Sequence, residues 1–198
     1  ERRRLNVGLN KMELVPSANK AYATYHLFSG ETGRKGKVTI LNLENQTVAG
    51  TIDLEPHLKA DHTDNLSLSL LGIDPLRNRL YVSALENDKR VAVIDTEQDK
   101  VIELLELPGF NTWIAYSFDV ETNTVIHPDG RIVNLETLEE QDFAAGESGW
   151  SSSMAARNRA TNTIYTLNNV TADLVISLGP AGTEVPPPPI PEEGTAEA

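Results

Sequence analysis

The stretch from Gly72 to Leu107, GIDPLRNRLYVSALENDKRVAVIDTEQDKVIELLEL, reads as one complete sheet unit, and weaker copies of it stand on both sides. With the apolar run that leads into it, it alternates four β-rich runs with the polar turns DPLRN, ENDKR and TEQDK. Short apolar runs separated by turns of this kind are the pattern of consecutive hairpins. The first copy, VPSANKAYAT, places Pro16 over Pro75, Asn19 over Asn78 and Tyr22 over Tyr81, and its continuation places Asn42 over Asp95. A third copy, FDVETNTVIHPDGRIVNLETLE, sets Asp119 over Asp74, Asn123 over Asn78 and Asn134 over Asp95. The fourth, RATNTIYTLNNVTADLVISL, sets Asn162 over Asn78 and Tyr165 over Tyr81.

The anchors Tyr22, Tyr81, Ile126 and Tyr165 are 59, 45 and 39 residues apart (22 to 81, 81 to 126, 126 to 165). A period of about 40 residues with four strands apiece is the spacing of a propeller blade, a unit that cannot bury its faces alone. The expected fold is all-β, a β-propeller of about four four-stranded blades, near 12–54, 66–107, 113–143 and 151–178. The last copy ends after its third strand, and residues 2–9 precede the first copy where a closing strand would lie. The repeats thus form either a closed four-blade ring or part of a larger propeller. Residues 181–198 carry a run of prolines, which removes ladder donors, so a polyproline-like and then disordered tail is expected there.

The run NRLYVSALENDKRVAVIDTEQDKVIELLEL, Asn78 to Leu107, resembles the YVTN-type (surface-layer and quinoprotein-like) β-propeller repeat, named for its Tyr-Val-Thr-Asn strand. This chain has Tyr81-Val82-Ser83-Ala84 there, Tyr22-Ala23-Thr24-Tyr25 in the first copy and Tyr165-Thr166-Leu167-Asn168 in the last. The third copy departs, with Ile126-His127-Pro128, and the resemblance covers about residues 12 to 178. It implies blade packing, with no catalytic residues in the motif, and larger rings in the family often have about seven blades. It also implies an extracytoplasmic address, periplasmic or at the cell surface.

Composition restricts the chemistry. The 198 residues contain no cysteine, which excludes disulfides, thiolate metal sites and a cysteine nucleophile. A net charge of −12 disfavours nucleic acid as a partner and favours cations or basic surfaces. No apolar run is long enough for a transmembrane helix. The chain opens Glu1-Arg2-Arg3-Arg4 rather than with methionine, as expected of a processed form or a piece of a longer protein.

Function in a repeat scaffold is expected where the repeat is broken. The first copy is broken twice, by SGETGRKGK (Ser29 to Lys37), which carries Arg34 and Lys35, and by EPHLKADHTDN (Glu55 to Asn65). The second segment holds His57, Asp61, His62 and Asp64 beside Glu55, the densest set of metal-ligand types in the chain. Two imidazoles with carboxylates suit a borderline divalent ion, and carboxylates alone suit calcium. A polar surface loop is the plainer reading of the same residues, and no cofactor is expected otherwise. Trp113 and Trp150 each precede an inner strand at matching positions. They suit either stacking on a ligand or wedging one blade against the next. No Gly-x-Ser-x-Gly elbow surrounds Ser151-Ser152-Ser153, and no phosphate-binding glycine loop occurs.

The expected function is a non-catalytic extracytoplasmic module that binds a protein or cell-envelope component, with oligomerisation left open. The alternative is a metal-dependent enzyme, a lactonase-like hydrolase or a redox enzyme, with its site in the first-copy loops.

Overall fold

Each copy becomes one antiparallel sheet whose strands lie in chain order. The computed structural model describes residues 9–25, 36–58, 68–84, 90–107, 117–127, 131–142, 152–158, 163–168 and 174–178. The first sheet is β1 (Leu9–Val15), β2 (Lys20–Tyr25), β3 (Lys37–Asn42) and β4 (Thr47–Asp53). The second is β5 (Leu68–Asp74), β6 (Arg79–Ala84), β7 (Arg90–Asp95) and β8 (Lys100–Glu106). The third is short: β9 (Ser117–Asp119), β10 (Thr124–Ile126), β11 (Arg131–Asn134) and β12 (Glu140–Asp142). The fourth has three strands among the described residues, β13 (Ser152–Asn158), β14 (Thr163–Asn168) and β15 (Leu174–Leu178). Helical structure among the described residues is limited to one 3₁₀ turn, Pro16–Ala18, and one α-helical turn, α1 (Glu55–Leu58). The chain is therefore all-β in class. Residues 1–8, which include most of the expected closing strand, and the tail at 181–198 lie outside the described residues.

The matched aspartates and asparagines explain why the copies share turns. The Oδ1 of Asp74 accepts the N–H groups of Leu76 (2.9 Å) and Arg77 (3.2 Å), and that of Asp119 accepts from Glu121 (3.2 Å). At the ends of the third strands, Asn42, Asp95 and Asn134 do the same for the residues two and three places on. This side-chain mimicry of a backbone turn is the specific talent of Asp and Asn. Each turn then closes through a left-handed residue: Asn19, Asn78 and Asn123 (φ 54°, 54° and 51°) after first strands, Gln46, Asp99 and Leu138 (φ 56°, 56° and 59°) after third strands. Asparagine tolerates that region better than most L-residues, which is why it recurs at the first set. The two turns of each of the first three sheets are tied together by matched bonds at 2.9 Å: Leu43 N–H to Asn19 C=O, Thr96 to Asn78, and Leu135 to Asn123. The first turn departs from the pattern. Val15 stands where Asp74 stands and provides no side-chain cap. Instead it is buried in the core.

Gln98 N–H is the main group holding the Asp95 carboxyl below the usual carboxylate range; burial opposes it, and Glu97 N–H, the Gln98 side chain and the Lys20 charge add to the lowering. Its folded pKa is thus below its unfolded value. The stability it contributes is complete above about pH 4 and is lost as pH falls through the lowered folded value. Asp95→Asn keeps the turn, as Asn42 and Asn134 do at matched positions. Thermal melts should therefore show a near-native midpoint at neutral pH and a shallower decline below about pH 4. An unchanged acid limb would count against the carboxylate as its cause.

Successive sheets face one another, and the first strands run side by side, β1 by β5, β5 by β9 and β9 by β13. Alternation along the strands sends one set of side chains to each neighbour. Tyr22, Val38 and Ile40 of the first sheet meet Leu70, Leu80 and Val82 of the second in one core. On the opposite face of the second sheet, Leu71, Tyr81 and Val93 meet Val125, Val133 and Leu135. Ile126 and Ile132 of the third sheet then meet Ile164 of the fourth. The second interface contains one very close approach. Phe118 lies directly on the Gly72 backbone, where a Cβ would overlap it, and its ring sits 5.4 Å from that of Tyr81 at 45°. Only glycine permits that approach.

Polar groups also cross between sheets. The Tyr22 hydroxyl lies 2.5 Å from Asp99 Oδ1 and 3.0 Å from the Thr96 carbonyl. Lys20 Nζ donates to Asp99 Oδ2 at 2.7 Å and to Thr96 C=O at 3.3 Å. Lys11 Nζ donates to the carbonyls of Leu70 (2.8 Å) and Leu71 (3.4 Å), and Leu71 is the extra residue of a β-bulge. In the second interface Tyr81 occupies the place of Tyr22 and Leu138 that of Asp99. Burial pushes the Tyr81 hydroxyl above the ordinary tyrosine value, while Arg79 and Asn123 beside it oppose the rise. That hydroxyl is buried without a hydrogen-bond partner among the described residues.

Candidate functional site

Strand polarity divides the molecule into two unlike ends. The capped turns of the first three sheets all lie at one end, where their backbones are tied together. The other end carries the connections of second to third strands, 26–36, 85–89, 127–130 and 169–173, and the connections between sheets, 54–67, 107–116 and 143–151. All the candidates from the sequence, Arg34, Lys35, His57, Asp61, His62, Asp64, Trp113 and Trp150, belong to connections at this second end. Of these, His57 falls within the described residues. Arg34, Lys35, Asp61, His62, Asp64, Trp113 and Trp150 lie outside them.

The stretch expected to be irregular from Glu55 begins with the helical turn α1. Asp53 Oδ1 accepts the Glu55 N–H at 3.0 Å, and the Leu54 carbonyl accepts from His57 (3.0 Å) and Leu58 (2.9 Å). Leu54 and Leu58 are both fully buried in the core between the first two sheets, and α1 packs against β7. Burying two leucines on either side of one turn is worth several kcal/mol, about 1.5–3 for each. That leaves His57, half-buried at the C-terminal end of the turn, on a fixed base. Leu54 N–H also donates to the Gly36 carbonyl at 2.7 Å, and Gly36 takes φ 64° to present it. This bond joins the end of the segment carrying Arg34 and Lys35 to the start of the segment carrying Asp61, His62 and Asp64. The two breaks in the repeat therefore leave the sheet side by side, as the strand assignment predicts.

Among the described residues no group of three or more His, Cys, Asp or Glu is placed to hold a metal ion. His127, also at this end, is buried, and its backbone N–H donates to Arg131 C=O at 2.8 Å. No helix among the described residues is long and apolar enough to cross a membrane. The α1 turn has a signal in the sequence, Asp53 as cap ahead of Glu55-Pro56 with leucines at 54 and 58. The tie to Gly36 extends the β3–β4 ladder one step beyond the Lys37–Asp53 pair, so it follows from the hairpin pattern of the first copy. No family model and no curated protein matches this chain.

Proposed function

We propose that this chain is a β-propeller of about four blades that works without catalysis as an extracytoplasmic binding or assembly module. It would hold a protein or cell-envelope component at the end where the long connections emerge. The observation that carries this reading is the Leu54–Gly36 hydrogen bond, which anchors the two breaks in the repeat next to each other on a buried helical turn. A rigid scaffold presenting adjacent irregular segments is the usual arrangement of a recognition surface. The YVTN-type resemblance supports the propeller arrangement and the extracytoplasmic address. Arg34 and Lys35 would bring positive charge to a chain of net charge −12, and Trp113 and Trp150 would offer flat apolar side chains. The excess of acidic groups speaks against nucleic acid as the partner.

Co-sedimentation of the full chain with the cell-envelope fraction of its source organism tests this. Retention should fall about tenfold in Arg34→Glu/Lys35→Glu. Glu44→Lys, at the end with the capped turns, should leave retention unchanged. Equal retention of both variants, or none for the native chain, would overturn the reading. So would turnover of a small substrate that disappears in His57→Ala, or a stoichiometric metal found by elemental analysis. Those two results would favour the metal-dependent enzyme built on His57, Asp61, His62 and Asp64.

A further inference from the structure

We infer that Arg79, Tyr81 and Asn123 form a binding site for a small carboxylate, in the seam between the second and third sheets. The site lies at the end with the capped turns, so the inference stands apart from the function proposed above.

The first seam shows what such a site holds. Lys20 and Tyr22, at the start of β2, both bond to the carboxylate of Asp99, at 2.7 and 2.5 Å. Asp99 reaches them from the left-handed position of the β7–β8 turn. β6 repeats the first half of this arrangement. Its register with β7 matches that of β2 with β3, so Arg79 stands for Lys20 and Tyr81 for Tyr22. The second half differs. Leu138, at the left-handed position of the β11–β12 turn, stands where Asp99 stands and packs against the apolar core. A cation and a phenol are thus set in place without the carboxylate that joins them in the first seam.

The polar atoms around them are correspondingly unmatched. The Tyr81 hydroxyl and both side-chain polar atoms of Asn123 have no partner among the described residues, although Tyr81 is 0% and Asn123 1% exposed. Buried polar atoms are nearly always paired, within the protein or with a bound molecule. Asn78, which matches Asn123, gives its Nδ2 to Glu97 of its own sheet at 2.7 Å. Glu136, which matches Glu97, instead lies 3.8 Å from Arg77, and Arg77 also holds Asp74 at 2.8 Å. Both neighbouring carboxylates are therefore drawn to Arg77, and the Asn123 amide stays available. Arg79 is half-buried and makes no ion pair among the described residues. Arg79 and Asn123 both stand beside the Tyr81 hydroxyl. A guanidinium fork, a phenol and an amide N–H₂ thus meet at one place. The fork fits a carboxylate through two parallel hydrogen bonds, a match that a single-atom anion cannot make.

Thermal melts in sodium acetate, with sodium chloride keeping the ionic strength constant, test the site. Acetate should raise the midpoint of the native chain by about 5 °C along a saturating curve. Tyr81→Phe and Arg79→Gln should each lose most of that rise. Leu138→Asp supplies the carboxylate from the chain, as Asp99 does in the first seam. It should raise the midpoint in chloride alone and abolish the response to acetate. A native chain indifferent to acetate would overturn the inference, because water or an acidic group of the chain itself would then fill the place. An acetate response of equal size in Tyr81→Phe and Arg79→Gln would overturn it too, as a general effect of the salt. Should either of those variants fail to fold, Leu138→Asp decides alone, and a full acetate response in that folded variant counts against the site. Retention by the envelope fraction is unaffected by any of these results, so the two proposals fail separately.

Discussion

Gly72→Val should destabilise the protein by about 3 kcal/mol or more, and Gly72→Ala by about 2, measured as a shift in denaturant midpoint at constant slope. A Cβ at residue 72 would overlap the Cβ, Cγ and Cδ1 of Phe118. The Cβ is fixed to the β9 backbone, so no rotamer change of Phe118 clears it. β5 cannot retreat either, because Gly72 is paired with Tyr81 in the same sheet. Relief requires the second and third sheets to separate, which also breaks the Tyr81–Phe118 ring contact. Phe118→Ala removes the ring while keeping the Cβ. The Gly72→Ala/Phe118→Ala pair should therefore cost less than the sum of the singles, by about 1 kcal/mol. Additive effects, or a Gly72→Ala variant within about 0.5 kcal/mol of native, would mean that the sheets do not approach this closely.

Tyr22→Ala should cost about 3–5 kcal/mol, as expected for emptying an aromatic site with no solvent exposure. Tyr22→Phe separates the polar part of that loss. The hydroxyl has one proton and two acceptors in reach, and the charged, nearer oxygen of Asp99 holds it, while Lys20 supplies a donor to Thr96. Losing one charge-assisted bond should cost about 1.5–3 kcal/mol. Burial raises the Tyr22 pKa above the ordinary value, and Asp99, through its hydrogen bond and its charge, adds to the rise, followed by the Asp95 charge. With the folded value above the unfolded one, the stability from the neutral phenol is complete below about pH 10 and is lost as pH rises toward the folded value. Spectroscopic titration should accordingly find Tyr22 and Tyr81 silent until the fold opens, and Tyr22→Phe should flatten the alkaline limb of the stability curve. Full reversible ionisation of all five tyrosines below the unfolding transition would contradict the burial of these two.

The turns were legible in the sequence because their chemistry is local. An Asp or Asn that accepts from amides two or three places on, followed by a left-handed residue, needs partners only a few places apart, and Asp74, Asp119, Asn42, Asp95 and Asn134 align in the repeat for that reason. Asp99 was not legible in the same way. In TEQDK it reads as one more solvated turn residue, yet it bonds to a tyrosine 77 residues away. Leu138, at the matched place in the next sheet, shows that the turn itself does not require a carboxylate. Gly72 carries as little signal, since a glycine in a strand pattern suits a bulge as well as a close approach. At the candidate site, the two breaks in the repeat were visible as departures from a period. That they leave the sheet side by side follows from the β3–β4 hairpin, whose ladder Gly36 and Leu54 extend beyond the Lys37–Asp53 pair.

Strand order, turn positions and the all-β class were determined by the sequence alone, through side chains acting on their own stretch of backbone. The tertiary structure decided which face meets which and where polar groups cross between sheets. Those outcomes depend on partners that no periodicity encodes. A side chain such as Tyr22 finds its acceptor only once two sheets, each already folded by local rules, have been brought face to face by the burial of their apolar sides.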